Sequence, residues 1–172
     1  FHGMTDVWFQ GTASAESQKR FAYAGTRLIK EAVDGVWVDL TTGLENNKQP
    51  CFDIFKDKVY WASTSNVDVP QSWDGTAGAT SNVGGTPPNF AFMTHHKNYE
   101  WAAGVATNAS RLYYSVNLNP ESWVAAGSGS IDIDPDDGDR ITGIVSHKNE
   151  LIVFKGPHRL SIHRITGSAP TG

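Results

Sequence analysis

The sequence predicts an all-β fold, and three observations predict it. Six Trp, five Tyr and eight Phe stand beside 17 Gly and 8 Pro in 172 residues. Aromatic strands punctuated by Gly and Pro turns are what such a chain needs. No stretch keeps the 3.6-residue apolar period of an amphipathic helix. The best candidate, residues 15–24, ends with Phe21 and Tyr23 alternating with Ala22 and Ala24, a strand's period of two. Finally, one hairpin grammar recurs: an apolar strand, a Lys-Asp or Lys-Asn turn, and a second strand. Lys56 and Lys97 of these turns are 41 residues apart, and Lys97 and Lys148 are 51 apart. Four-stranded propeller blades repeat at about 40–50 residues. The expected architecture is therefore a β-propeller-like array of antiparallel blades, roughly three to four in number.

In chain order, residues 1–18 read as an irregular lead-in, 19–167 as blades and 168–172 as a loop-like tail. Residues 19–44 hold three strands, with Asp34-Gly35 between two of them. Asp-Gly between strand-like runs is a strong hairpin signal. Residues 50–75 open a second blade, with strands at 52–55 and 58–63 across Lys56-Asp57. Residues 76–89, rich in Gly, Thr and Asn, form a linking loop. Strands at 90–95, 99–103 and 111–115 make a third blade, the first pair joined at Lys97-Asn98. An acidic turn at 135–140 leads to strands at 141–146, 150–155 and 159–165, the first pair meeting at Lys148-Asn149. Asn and Asp tolerate the positive φ of two-residue turns. Two further landmarks keep the period: Pro70-Gln71-Ser72-Trp73 returns as Pro120-Glu121-Ser122-Trp123, and Ser110-Arg111-Leu112 as His158-Arg159-Leu160. Ile54, Phe92, Ile144, Leu151 and Val153 are the expected core.

The run Ser110-Arg111-Leu112-Tyr113-Tyr114-Ser115, then Asn119-Pro120-Glu121-Ser122-Trp123, Ile131-Asp132-Ile133, Asp137-Gly138-Asp139, Ile141-Thr142-Gly143-Ile144 and Leu151-Ile152-Val153-Phe154-Lys155 carries a resemblance. It resembles propeller-bearing structural proteins of tailed bacteriophages, including the tail nozzle and DNA-stabilisation proteins of short-tailed phages. Gly25-Thr26-Arg27-Leu28 and Gln71-Ser72-Trp73-Asp74-Gly75 fit the same pattern, so the likeness covers roughly residues 20–167. Members of that family are generally longer, so it raises the expectation that this chain is part of a longer propeller. It implies a virion protein of the tail or neck whose partners are other virion proteins and copies of itself in a ring. Phage assemblies are ring-symmetric, and heterologous contacts that close build rings.

Composition and motifs narrow the chemistry. The net charge is −4 and the longest basic cluster is Lys19-Arg20, so no nucleic-acid surface is expected. No apolar run reaches the ~18 residues of a membrane span. Cys51 is the single cysteine and reads as a half-buried strand residue. Asp132, Asp134 and Asp136 alternate as Ca²⁺ ligands do, but Asp137 stands where a calcium loop needs Gly, and Pro135 stiffens the middle. A solvated strand and turn is the expected reading. His95 and His96 are adjacent and so face opposite sides of a strand, His147 and His158 fall at turns, and His163 lies on a strand. None has zinc-motif spacing.

No Ser sits in a nucleophile elbow, and no Gly-rich loop follows a strand. No catalytic, cofactor-binding or metal-binding residue is assigned, and the chain is not expected to be an enzyme. Trp37, Trp61, Trp101 and Trp123 are expected to pack between blades. The function read from the sequence is a phage virion building block acting by assembly. The alternative is a glycan- or receptor-binding propeller, which needs exposed aromatics in a loop-lined groove.

Overall fold

The computed structural model describes residues 3–9, 17–76 and 78–167. Among them are fifteen strands, no helix, and four antiparallel sheets in which the strands follow one another in sequence order. Blade 1 is β1 (Gly3–Phe9), β2 (Ser17–Ala24), β3 (Arg27–Val33) and β4 (Val36–Thr42). Blade 2 is β5 (Pro50–Phe55), β6 (Lys58–Ser63), β7 (Gln71–Trp73) and β8 (Ser81–Asn82). Blade 3 is β9 (Phe92–His96), β10 (Tyr99–Ala103), β11 (Arg111–Tyr114) and β12 (Gly129–Asp132). Blade 4 has three strands: β13 (Arg140–His147), β14 (Glu150–Gly156) and β15 (Ser161–Ile165). The first strands β1, β5, β9 and β13 lie against one another in turn. The sheets therefore converge there and splay outward, as blades do around an axis.

The two-residue turns set the register. Phe55 pairs with Lys58, His96 with Tyr99 and His147 with Glu150. Lys56, Asp57, Lys97, Asn98 and Lys148 all have positive φ, between 47° and 67°. Two consecutive positive-φ residues, as at Lys56-Asp57 and Lys97-Asn98, match the twist of flanking strands. Every hairpin expected across these turns forms. The Asp34-Gly35 turn joins β3 to β4, with Val33 opposite Val36.

Cohesion comes from three cores, each between neighbouring blades. Val7, Phe21, Tyr23 and Leu28 of blade 1 meet Val59, Trp61 and Trp73 of blade 2. Phe55, Tyr60 and Ala62 of blade 2 meet Phe90, Met93 and Ala102 of blade 3. Trp101, Leu112 and Tyr114 of blade 3 meet Ile141, Leu151 and Val153 of blade 4. Period-two alternation lets one strand serve two cores. Trp101 and Ala103 of β10 turn to blade 4, while Ala102 turns to blade 2. The aromatics stack edge-on or tilted, Phe21 on Trp73 at 5.5 Å and Trp101 on Tyr114 at 5.3 Å, the geometry their quadrupoles favour.

Four expectations need correction. The irregular lead-in contains β1, which pairs with β2 from Gly3↔Tyr23 to Phe9↔Ser17; residues 1–2, 10–16 and the tail 168–172 lie outside the described residues. Its alternation of Met4, Asp6 with Thr5, Val7 is a strand pattern that a short, Gly-flanked run conceals. The linking loop 76–89 contains the two-residue strand β8, too short to show a period. Ile54 is 39% exposed, because it sits one pair from the hairpin tip on a strand paired along only one edge. Trp37 is half-buried and belongs to none of the three cores, whereas Trp61, Trp73, Trp101 and Trp123 are buried. Leu151 and Val153 are buried, and Phe92 and Ile144 are half-buried.

The two end faces have no neighbour among the described residues. Cross-strand pairing puts Val145 beside Ile152 and Phe154 beside Ile162 on the side of blade 4 away from blade 3. Phe154 is 38% exposed, Val145 44% and Ile162 67%, with Leu160 at 88% nearby. The free side of blade 1 pairs apolar Met4 with Ala22 and carries ion pairs, Arg20 to Asp6 at 3.4 Å and to Glu31 at 3.1 Å. Val153→Asp would place an unpaired carboxylate in the core between blades 3 and 4. It is expected to destabilise the chain by roughly 3–5 kcal/mol, read by thermal or urea unfolding. A melt matching the parent would show that the inward face of β14 is wrongly assigned.

Candidate functional site

The acidic stretch 132–139 holds a cation of the chain's own. Lys155 on β14 is 1% exposed. Its Nζ donates to the Ile133 carbonyl at 2.6 Å, the Asp134 carbonyl at 2.7 Å and Asp137 Oδ1 at 2.8 Å. The Lys155 hydrogen bond holds the Asp137 carboxyl below its ordinary range, helped by the Asp139 backbone N–H. Asp139 is itself buried and accepts the backbone N–H groups of His158 at 2.7 Å and Arg159 at 2.6 Å. Asp132 points the other way into a fork from Arg111, at 2.6 and 2.8 Å. The three alternating aspartates therefore do not converge: Asp132 is engaged by Arg111, and Asp134 and Asp136 are exposed. Among the described residues no group of three or more His, Cys, Asp or Glu could hold a metal ion.

A second polar group lies between blades 2 and 3. Asp53 on β5 accepts the backbone N–H of His95 on β9 and lies 3.3 Å from His95 Nδ1. That hydrogen bond raises the His95 pKa against the opposing effect of burial. Glu100 on β10 is 0% exposed, and its carboxyl lies beside that of Asp53. Burial raises its pKa well above the ordinary carboxyl value, and the charge of Asp53 adds to this. Protonated, Glu100 has a use for its hydroxyl, which can turn toward Asp53. Cys51 shares this interface. Its Sγ lies 3.4 Å from the Met93 carbonyl, and burial pushes the thiol up to about 11. Tyr60 Oη donates to Glu121 at 3.3 Å, and burial raises its pKa too.

The remaining histidines have structural surroundings. His96 is buried, its Nδ1 2.9 Å from Ser146 Oγ across the blade 3–4 boundary, and burial lowers its pKa. His163 Nε2 lies 3.0 Å from Ser161 Oγ. His147 and His158 are exposed at the ends of strands and turns.

A concavity lies where the first strands begin and the second strands end. It is a cleft of about 510 Å³ shared by blades 2, 3 and 4, with Asn66, Phe92, Gly104, Ala106 and Arg140 in its walls. Gly104 has φ of +80°, and a Cβ there would lie 2.8 Å from the Phe92 ring, so the cleft floor requires glycine. Asn66 Oδ1 bridges blades by accepting the Ala106 N–H at 3.0 Å. Arg140 is the one charged side chain among the lining residues. Sequence reasoning missed both Glu100 and this cleft. A Glu between Tyr99 and Trp101 in a strand was a usable signal for the first; the second is assembled from three blades and has none.

No family model matches the chain, and no curated protein matches it. Solved structures do. The structure of YCF48 bound to D1 peptide is similar with TM-score 0.58 and 14% identity, covering 87% of this chain and 47% of that one. The computationally designed Ika4 protein gives TM-score 0.47 and 12% identity, covering 91% of this chain and 95% of that one. The chain thus spans about half the length of the YCF48 structure, and the likeness establishes the fold: a β-propeller-like array of four blades.

Two expectations follow. Glu100→Gln keeps the shape and a donor toward Asp53 while removing the charge. A folded-state pKa raised above the unfolded value gives stability that is fully present at low pH and lost as pH rises through the folded pKa. Glu100→Gln should therefore melt several degrees above the parent at about pH 8 and close to it at about pH 4. A parent that melts higher at alkaline pH would contradict this. Lys155→Met should cost roughly 2–4 kcal/mol in chemical unfolding by leaving two buried carbonyls unpaired. Ca²⁺ should leave the parent's melting temperature unchanged.

Proposed function

We propose that the chain is a non-catalytic building block of a larger assembly, a propeller segment of a bacteriophage virion at the tail or neck. The observation that carries the reading is the apolar outer face of blade 4. Val145, Phe154 and Ile162 are residues of the kind that the chain buries wherever one blade meets the next. Such a face is built to be covered. The groups with reactive chemistry are already engaged: the acidic loop by Lys155, Asp53 by His95, and the thiol by burial. The resemblance to tail nozzle and DNA-stabilisation proteins supplies the virion setting.

The alternative of a binding module draws its support from the cleft shared by blades 2, 3 and 4 and its single Arg140. The structure of YCF48 with a peptide is consistent with a propeller of this kind holding a ligand. For a glycan platform of exposed tryptophans, Trp61, Trp73, Trp101 and Trp123 are buried and Trp37 is half-buried.

Analytical ultracentrifugation of the 172-residue chain tests the reading. Association at micromolar concentration is expected, with Phe154→Glu/Ile162→Glu, both at exposed positions, giving a folded chain that associates less. A sharp, stable parent monomer would remove the structural motive for a building block and put the binding module ahead.

A further inference from the structure

The turn lysines repeat as clamps between blades. Lys56, in the first turn of blade 2, donates its Nζ to the Leu118 carbonyl in the loop after the third strand of blade 3. Lys97, in the first turn of blade 3, donates to the Gly167 carbonyl after the third strand of blade 4. Both clamps run from one blade to the next, at the same end of the disc. Lys148 holds the same place in blade 4, with the same positive φ of 54°. It is exposed and engages no partner among the described residues.

From this we infer that the open face of blade 4 seats blade 1 of a second copy of this chain, with Lys148 as the third clamp. The inference rests on the building-block reading and names the partner. A clamp that always runs forward makes the contact head-to-tail, and blade 1 presents the rearward face that such a contact needs. In blade 1 the loop after the third strand is the Asp34-Gly35 turn. Asp34 is exposed and without a partner there, so Lys148 meets a carboxylate as well as backbone. The sheet faces are also compatible. Met4 and the half-buried Trp37 offer apolar surface opposite Phe154 and Ile162. The ion pair of Arg164 with Glu150, at 3.6 Å, lies on the same side of blade 4 as these, and that of Arg20 with Glu31 on the same side of blade 1 as Met4. Two copies of this 172-residue segment joined this way use the contact twice, and the eight blades they bring together lie within the four to eight of closed propellers.

The test is sedimentation of the parent, Lys148→Glu, Asp34→Lys and the Lys148→Glu/Asp34→Lys double variant. Both positions lie in exposed turns, and far-UV circular dichroism checks that each chain folds. A parent dimer is expected, weakened at least about tenfold in each single variant and restored in the double variant, where the charges are exchanged. Association that ignores both single variants, or that runs on to open polymers, overturns the inference while leaving the building-block reading in place. A parent monomer overturns both.

Discussion

Everything in this molecule depends on the packing of one blade's sheet against the next. A four-stranded sheet cannot bury its own apolar faces, and the chain solves this by stacking. Each of the three cores joins side chains of neighbouring blades, with aromatics on both sides in the first two, as where Phe21 and Tyr23 meet Trp61 and Trp73. Burying one such side chain contributes roughly 1.5–3 kcal/mol. The blades therefore hold together as a one-dimensional series of like interfaces. Among the described residues the outer faces of blades 1 and 4 have no such neighbour, and the functional reading grows from those faces.

Polar groups inside the stack fix the placement of its parts. Lys155 gathers two carbonyls and a carboxylate, and so shapes the acidic loop from within. Asp53 ties the first strands of blades 2 and 3 together through His95. Glu121, on blade 3, receives Lys58 at 2.7 Å and Tyr60 at 3.3 Å from blade 2. Each is a cross-blade or loop-to-strand tie that fixes relative placement while apolar area supplies cohesion. Glu100 is the exception, a buried acid whose stability contribution depends on its keeping a proton.

Much of the fold was legible because it is local. The Lys-Asp and Lys-Asn turns announce themselves by residue type, and the strands beside them alternate cleanly, so β6 and β10 lie where the pattern puts them. The short strands β7 and β8 were not legible, since two or three residues carry no period. Ile54 shows the limit of alternation. Pattern identifies which residues share a face, but not whether a neighbouring blade reaches that face at the hairpin tip. The site was less legible still. The aspartates at 132, 134 and 136 suggested a cation, and a cation is indeed held nearby. It is Lys155, on another strand, and its ligands are mainly carbonyls that no side-chain spacing reveals. The turn lysines were visible as turn residues. Their use as clamps needs two blades side by side, which only the folded chain supplies.

The central claim is that open blade faces drive this chain to associate through the packing that holds it together inside. Hydrogen exchange read by mass spectrometry across a concentration series tests that claim most directly. The account predicts that amides of β6 and β10, in blades covered on both sides, exchange slowly at every concentration. Those of β14 and β15 should gain protection as the chain is concentrated. Protection of β14 and β15 that is already complete in dilute solution, and unchanged on concentrating, would contradict it.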